Sequence, residues 1–109
     1  MIEIKYMSGF FDGEGNVLIR DVLSKNGRTY ISDRLRIVNT DKYILDSIQK
    51  TFGGSVIVKK IYNFSKKSQW EWYISGRFAL PIAKLLYPLC IIKKTQLKEY
   101  IDRNKKNGK

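Results

Sequence analysis

Met7-Ser8-Gly9-Phe10-Phe11-Asp12-Gly13-Glu14-Gly15 closes an apolar N-terminal segment with two acids and three glycines. Ile4, Met7, Phe10 and Phe11 recur at close to helical spacing, so a helix is expected over residues 4–11, ended by Gly13 and Gly15. Small residues let backbones approach closely. A carboxylate at the exposed end of a packed helix can hold a hard divalent cation. The same residues, Asp12 to Gly15, also read as a plain structural turn, and the motif alone does not separate the two.

Downstream the pattern changes to strands. Asn16 to Leu23 is β-rich, Ser24-Lys25-Asn26-Gly27 is a turn in which Asn-Gly signals a hairpin, and Arg28 to Val38 returns as a second strand. Asn39-Thr40-Asp41 begins a helix carrying Ile44, Leu45, Ile48 and Phe52, which Gly53-Gly54 stops. Ser55 to Tyr62 reads as a third strand, Asn63 to Ser68 as a polar loop and Gln69 to Ile74 as a fourth strand. A helix follows over Arg77 to Leu86, with Pro81 in its first turn, and Tyr87-Pro88 breaks it. A last helix is expected from about Ile91 to Ile101. Residues 1–103 thus form one α+β domain, helix-hairpin-helix-hairpin-helix-helix, around a four-stranded antiparallel sheet. The tail, 104–109 with Arg103 at its root, is expected to be basic and without order.

The 109 residues carry a formal net charge of +11, with 21 Lys and Arg against 10 Asp and Glu. Such an excess points to a polyanionic partner, nucleic acid before an anionic membrane surface. No apolar run approaches the length of a membrane span and no signal peptide is visible, so an intracellular protein is expected, neither secreted nor membrane-bound. Cys90 is the single cysteine, lies in an apolar run and reads as an inert core residue. There is no histidine. Ser-His-Asp hydrolases, His-based zinc sites and nucleases with a histidine base are thereby excluded. Enzymatic chemistry in this chain has to come from carboxylates, lysines and a bound metal.

Strand alternation decides which side chains share a face. Arg34 and Arg36 oppose Leu35 and Ile37, and Asp33 falls in the same series as Leu35 and Ile37. Arg20 shares a face with Leu18 and Val22. Gln69, Glu71 and Tyr73 oppose Trp70, Trp72 and Ile74. Lys59 and Lys60 point opposite ways, so parity there stays open. One face can pack on helices while the other presents Arg20, Ser32, Arg34, Arg36, Lys59, Gln69 and Tyr73 to DNA. Polar side chains on a β-ribbon can read base edges in the major groove, with Arg to guanine the commonest specific pairing. The plain alternative is a solvated sheet face.

Glu14, at the junction of helix and strand, should lie at an edge of the sheet. Alone it is a weak metal site, because Mg²⁺ keeps waters and takes one or two carboxylates plus substrate phosphates. Two copies of the chain packed through their glycine-lined helices would bring two Glu14 side chains together, an arrangement suited to metal-assisted phosphodiester hydrolysis. Lys93 and Lys94 open the last helix. They read either as a solvated basic turn or as a lysine that stabilises charge on a scissile phosphate. Asn39 and Thr40 read either as helix caps or as residues that orient a water.

The nonapeptide resembles the signature of the LAGLIDADG homing endonucleases, with Met7 and Ser8 in place of the leading Leu and Ala. The element order, the Asn39-Thr40-Asp41 helix start, the Trp70-x-Trp72-x-Ile74 strand and the stretch Leu85-x-Tyr87-Pro88-x4-Lys93-Lys94-x-Gln96 are also similar to that family. The resemblance covers nearly the whole chain. It implies that the motif helix is a subunit interface, with Gly9, Phe10, Asp12 and Gly13 at the contact and Asp12 capping or hydrogen bonding the partner helix. It implies that Glu14, with Gly13 beside it, is the metal site, that Lys93 is the active-site lysine, and that Asn39, or Thr40 next to it, orients the water. A single motif implies a homodimer on a near-palindromic double-stranded DNA site, requiring Mg²⁺ with Mn²⁺ as a substitute, and no small-molecule substrate. A non-cleaving repressor on the same scaffold and an intron RNA maturase are the competing readings. Glu14 and Lys93 together favour the enzyme, since a pure binder has no use for an acid beside phosphates.

Overall fold

In a computed structural model, residues 2–59 and 68–107 are described, with side chains up to Lys105. Helix α1 (Ile4–Glu14) leads into β1 (Gly15–Leu18) and β2 (Asp21–Leu23). A turn returns the chain through β3 (Thr29–Ile31) and β4 (Arg34–Asn39) to α2 (Lys42–Phe52). The second half comprises β5 (Ser55–Lys59), β6 (Gln69–Ser75), a 3₁₀ turn (Gly76–Ala79), α3 (Leu80–Leu86) and α4 (Lys94–Asn107). The expected α+β fold is present: an antiparallel four-stranded sheet in the order β1-β4-β6-β5. Expectations for 60–67 lie outside the described residues.

The helices cover one face of this sheet. Leu35 and Ile37 from β4 and Trp72 and Ile74 from β6 pack with Met7 and Phe11 of α1, Leu45 and Ile48 of α2, Ile82 and Leu86 of α3, and Leu97 and Tyr100 of α4. Cys90 joins this core, where burial pushes its thiol up to about 11, in keeping with an inert packing residue. Among the described residues no helix is long and apolar enough to cross a membrane.

The last helix starts at Lys94, not near Ile91, so Lys93 precedes it, and the helix expected over 77–86 opens as a 3₁₀ turn. Three further differences have a clear physical reason. The first helix does not end before Gly13 but continues to Glu14. Gly15 then starts β1, and a Cβ there would sit 2.4 Å from the Phe11 ring, so the glycine makes room for the core phenylalanine. The two long strands expected over 16–23 and 28–38 are each broken, near Arg20 and Asp33, which detaches β2–β3 as a separate two-stranded hairpin. Asp33, 1% exposed, lies at the break and takes the Arg20 amide at 3.0 Å. Finally, Arg103 and Asn104, expected in a tail without order, belong to α4. Arg103 grips both Asp33 oxygens, Nε at 2.7 Å and Nη2 at 2.9 Å, and reaches Asp21 at 2.8 Å. Asn104 Nδ2 adds a bond to Asp33 at 3.1 Å. Composition alone makes the tail look soluble, whereas an inward-facing acid 70 residues away supplies its partner.

A bidentate guanidinium–carboxylate pair is rigid, and removing one member strands the other. Arg103→Ala is therefore expected to cost about 3 kcal/mol in denaturant unfolding. A loss under about 0.5 kcal/mol, typical of exposed pairs, would show that the clasp does not hold.

Candidate active site and nucleic-acid interface

The helical periodicity of α1 sorts its side chains into two stripes. Met7, Ser8 and Phe11 are buried against the core. Tyr6, Gly9, Phe10 and Gly13 form the opposite stripe, where Tyr6 is 56% exposed and stacks on Phe10 with ring centroids 6.2 Å apart. A Cβ at Gly9 or Gly13 would meet nothing within 4 Å, so these glycines are not required by packing within the chain.

Asp12, which the resemblance puts at the contact with a partner helix, holds a contact within its own chain. Its carboxylate bonds its own chain, accepting the amides of Ile91 at 3.0 Å and Lys93 at 2.9 Å. Desolvation pushes this carboxyl up, but the backbone amides of Lys93, Ile91 and Ile92, helped by the Lys93 ammonium, outweigh it and hold it below its ordinary value. The clamp fixes the turn before α4 against the end of α1. Lys93 Nζ then donates to the Asp12 carbonyl at 2.9 Å, a cation at the negative end of a helix. Lys94 points elsewhere, to the Tyr87 carbonyl at 2.8 Å and over the Tyr87 ring at 4.4 Å. Of the two adjacent lysines, the fold thus places Lys93 beside the motif.

Glu14 is the exposed last residue of α1, and among the described residues its carboxylate has no hydrogen bond or ion pair. No three His, Cys, Asp or Glu side chains gather into a metal-binding group among the described residues. A lone exposed carboxylate does not fit a zinc cage. It does fit a hard cation such as Mg²⁺, which keeps several waters and draws its other ligands from phosphates. Asn39 ends β4 opposite Trp70, and its Oδ1 accepts the Asp41 amide at 2.9 Å, while Asp41 caps α2 through Tyr43 N. Asn39 therefore serves the helix start, the plainer of its two expected roles, and its NH₂ group remains a donor.

The register brings five of the seven expected DNA-binding residues onto the face away from the helices. Arg36 pairs with Tyr73, Lys59 with Gln69 and Arg34 with Ser75, and directly opposed residues share a face. The parity left open at Lys59 resolves toward this face. Arg20 and Ser32 sit together at the bend, Nη2 to Oγ at 3.5 Å. The same rows add Asn16, opposite Arg36, and Ser55, opposite Tyr73. Sequence reading missed these two because their faces depend on register, although their alternation with Val17 and Val56 was a usable signal. Glu71, expected on this face from the alternation, is buried among its cations, which alternation does not reveal.

A helix-lined sheet with an open basic face and an acid ending the motif helix matches what the opening nonapeptide implies. The LAGLIDADG endonuclease family model matches residues 7–100, and the chain belongs to this family. No curated protein matches it. Among solved structures it is similar to the homing endonuclease I-CvuI in complex with its target, with a TM-score of 0.78 and 23% identity over 94% of this chain and 66% of that one. It is also similar to I-LtrWI bound to target DNA, at TM-score 0.75 and 20% identity over 96% of this chain and 38% of that one. I-GzeII in complex with its DNA target gives 0.72 and 23%, over 99% and 37%. At these identities the likeness is one of fold. The chain spans just under two-thirds of I-CvuI and little more than a third of the other two.

A carboxyl held below its ordinary value of 3.8 stabilises the fold above its unfolded value and loses that contribution as pH falls through the folded value. Asp12→Asn is thus expected to lower the melting temperature at neutral pH. The gap to the wild type should narrow as pH drops below about 4. A gap independent of pH would mean that the charge of Asp12 does not hold the clamp.

Proposed function

We propose that the chain is a site-specific double-strand DNA endonuclease that acts as a homodimer on a near-palindromic site, hydrolysing phosphodiesters with Mg²⁺ or, as a substitute, Mn²⁺. The observation that carries this reading is the Asp12 clamp. It brings the Lys93 ammonium to the end of α1, two residues from the exposed carboxylate of Glu14. A basic ligand-binding face needs neither the acid nor its neighbouring lysine.

In this reading the Glu14 carboxylate, with the Gly13 backbone beside it, holds the metal. Bound there, Mg²⁺ supplies an activated water and stabilises the leaving oxygen. The Lys93 ammonium donates to the Asp12 carbonyl and keeps further protons for a phosphate oxygen as negative charge develops. The Asn39 NH₂ group orients water. One carboxylate per chain is too few for a metal site, and the outer stripe of α1 offers the remedy. Tyr6, Gly9, Phe10 and Gly13 of two copies can pack closely about a two-fold axis, pairing the Glu14 side chains. That symmetry is mirrored in the DNA. Arg34, Arg36, Lys59, Gln69 and Tyr73, with Arg20 and Ser32 at the bend, supply base and phosphate contacts.

Glu14→Gln is expected to abolish Mg²⁺-dependent cutting of a target-containing duplex while binding persists. Lys93→Ala should slow cutting by at least about 10²-fold. The DNA flanking the protein's own gene, with its host element removed, is the substrate to screen. A wild-type protein that binds a long site tightly but never cuts it with either metal contradicts the enzyme reading and leaves the repressor.

A further inference from the structure

Glu71 is an acid in the middle of the basic face. Its side chain is 4% exposed, and charges are almost never buried unless paired. Among the described residues three cations surround it: Lys59 Nζ at 3.1 Å and Arg36 Nη1 at 3.7 Å from Oε1, and Arg34 Nη1 at 3.4 Å from Oε2. The strands impose this convergence. Glu71 is opposed by Val38 on β4 and Ile57 on β5, neither of which competes for its oxygens. The cations come from neighbouring rows, Arg36 beside Tyr73, Arg34 beside Ser75 and Lys59 beside Gln69. Arg34 is held a second time, with its guanidinium 4.3 Å over the Tyr73 ring. Arg36 Nε is buried with no acceptor among the described residues, so the array keeps unused donor capacity.

Resting on the DNA-binding reading above, we propose that Glu71 is a positioning residue for sequence discrimination. It locks Arg34, Arg36 and Lys59 into one array and cancels one of their three charges. Non-specific DNA affinity comes from free cations on phosphates, whereas base reading needs a guanidinium held in a defined geometry. Glu71 trades the first for the second. It does not read a base itself, because both oxygens are committed and the group is enclosed.

The test uses wild type, Glu71→Gln and Glu71→Asp. Each is measured against a random-sequence duplex over a range of salt concentrations, and each is used to select binders from a randomised duplex pool. Glu71→Gln should bind the random duplex on the order of threefold to tenfold more tightly at low salt. Its log–log salt slope should be steeper by about one, and its selected pool should show weaker base preference. Glu71→Asp keeps the charge but shortens the reach, so it should retain the wild-type slope and still lose preference. A Glu71→Gln protein with wild-type circular dichroism, salt slope and random-duplex affinity would reduce Glu71 to a sheet stabiliser and overturn the proposal. If that variant does not fold, wild-type preference in Glu71→Asp overturns it instead. Wild-type protein that fails to bind random duplex at low salt overturns the DNA-binding reading and this proposal together.

Discussion

The two oxygens of the Asp12 carboxylate take the backbone amides of Ile91 and Lys93, and that pair of hydrogen bonds joins the end of α1 to the approach of α4. Much of the site depends on it. The Lys93 backbone is held, so its ammonium reaches the Asp12 carbonyl rather than solvent. The outer stripe of α1 carries an exposed Tyr6 and two glycines at which a Cβ would meet nothing within 4 Å. Glu14 follows at the helix end with its carboxylate turned to solvent. One local clamp thereby holds the lysine against the end of the motif helix, on which Glu14 stands.

Acids organise this basic chain more widely than their number suggests. Only 10 Asp and Glu stand against 21 Lys and Arg. Asp12 fixes the motif to α4, Asp33 fixes α4 to the bend of the hairpin, and Glu71 gathers the cations of the open face. In each case a half-buried or buried carboxylate draws donors from segments distant in sequence and fixes a relative position that apolar packing alone would leave looser. Glu14, at the end of the motif helix, is by contrast an exposed acid without a hydrogen bond or ion pair among the described residues.

The helix order, the sheet and the face carrying Arg34 and Arg36 were legible because they rest on periodicity, which is local. Trp70, Trp72 and Ile74 share the helix-covered face for the same reason. The contact of Asp12 within its own chain was not legible. A carboxylate in a family motif suggests a partner helix, and only the fold shows two amides 79 and 81 residues away. The break at Asp33 and the order of Arg103 share this character, since each side chain looks misplaced until the other is seen. Glu71 was visible as a residue on the basic face, but its burial depends on how far three long side chains reach across the sheet. Non-local pairings between charged groups are the part of this structure that composition and spacing do not encode.

In the proposed enzyme the exposed stripe of α1 would meet its own copy, so that two Glu14 carboxylates form one site. Cysteine substitution on that stripe tests it directly, because a disulfide needs Cα atoms within about 7 Å. In a Cys90→Ser background, Gly9→Cys and Gly13→Cys are compatible with the fold, since a Cβ at either position meets nothing within 4 Å. On duplex DNA under mild oxidation, at least one of them is expected to form a covalent dimer, whereas Lys50→Cys on α2 is not. Protein that binds DNA as a single chain and cross-links at neither glycine would contradict it.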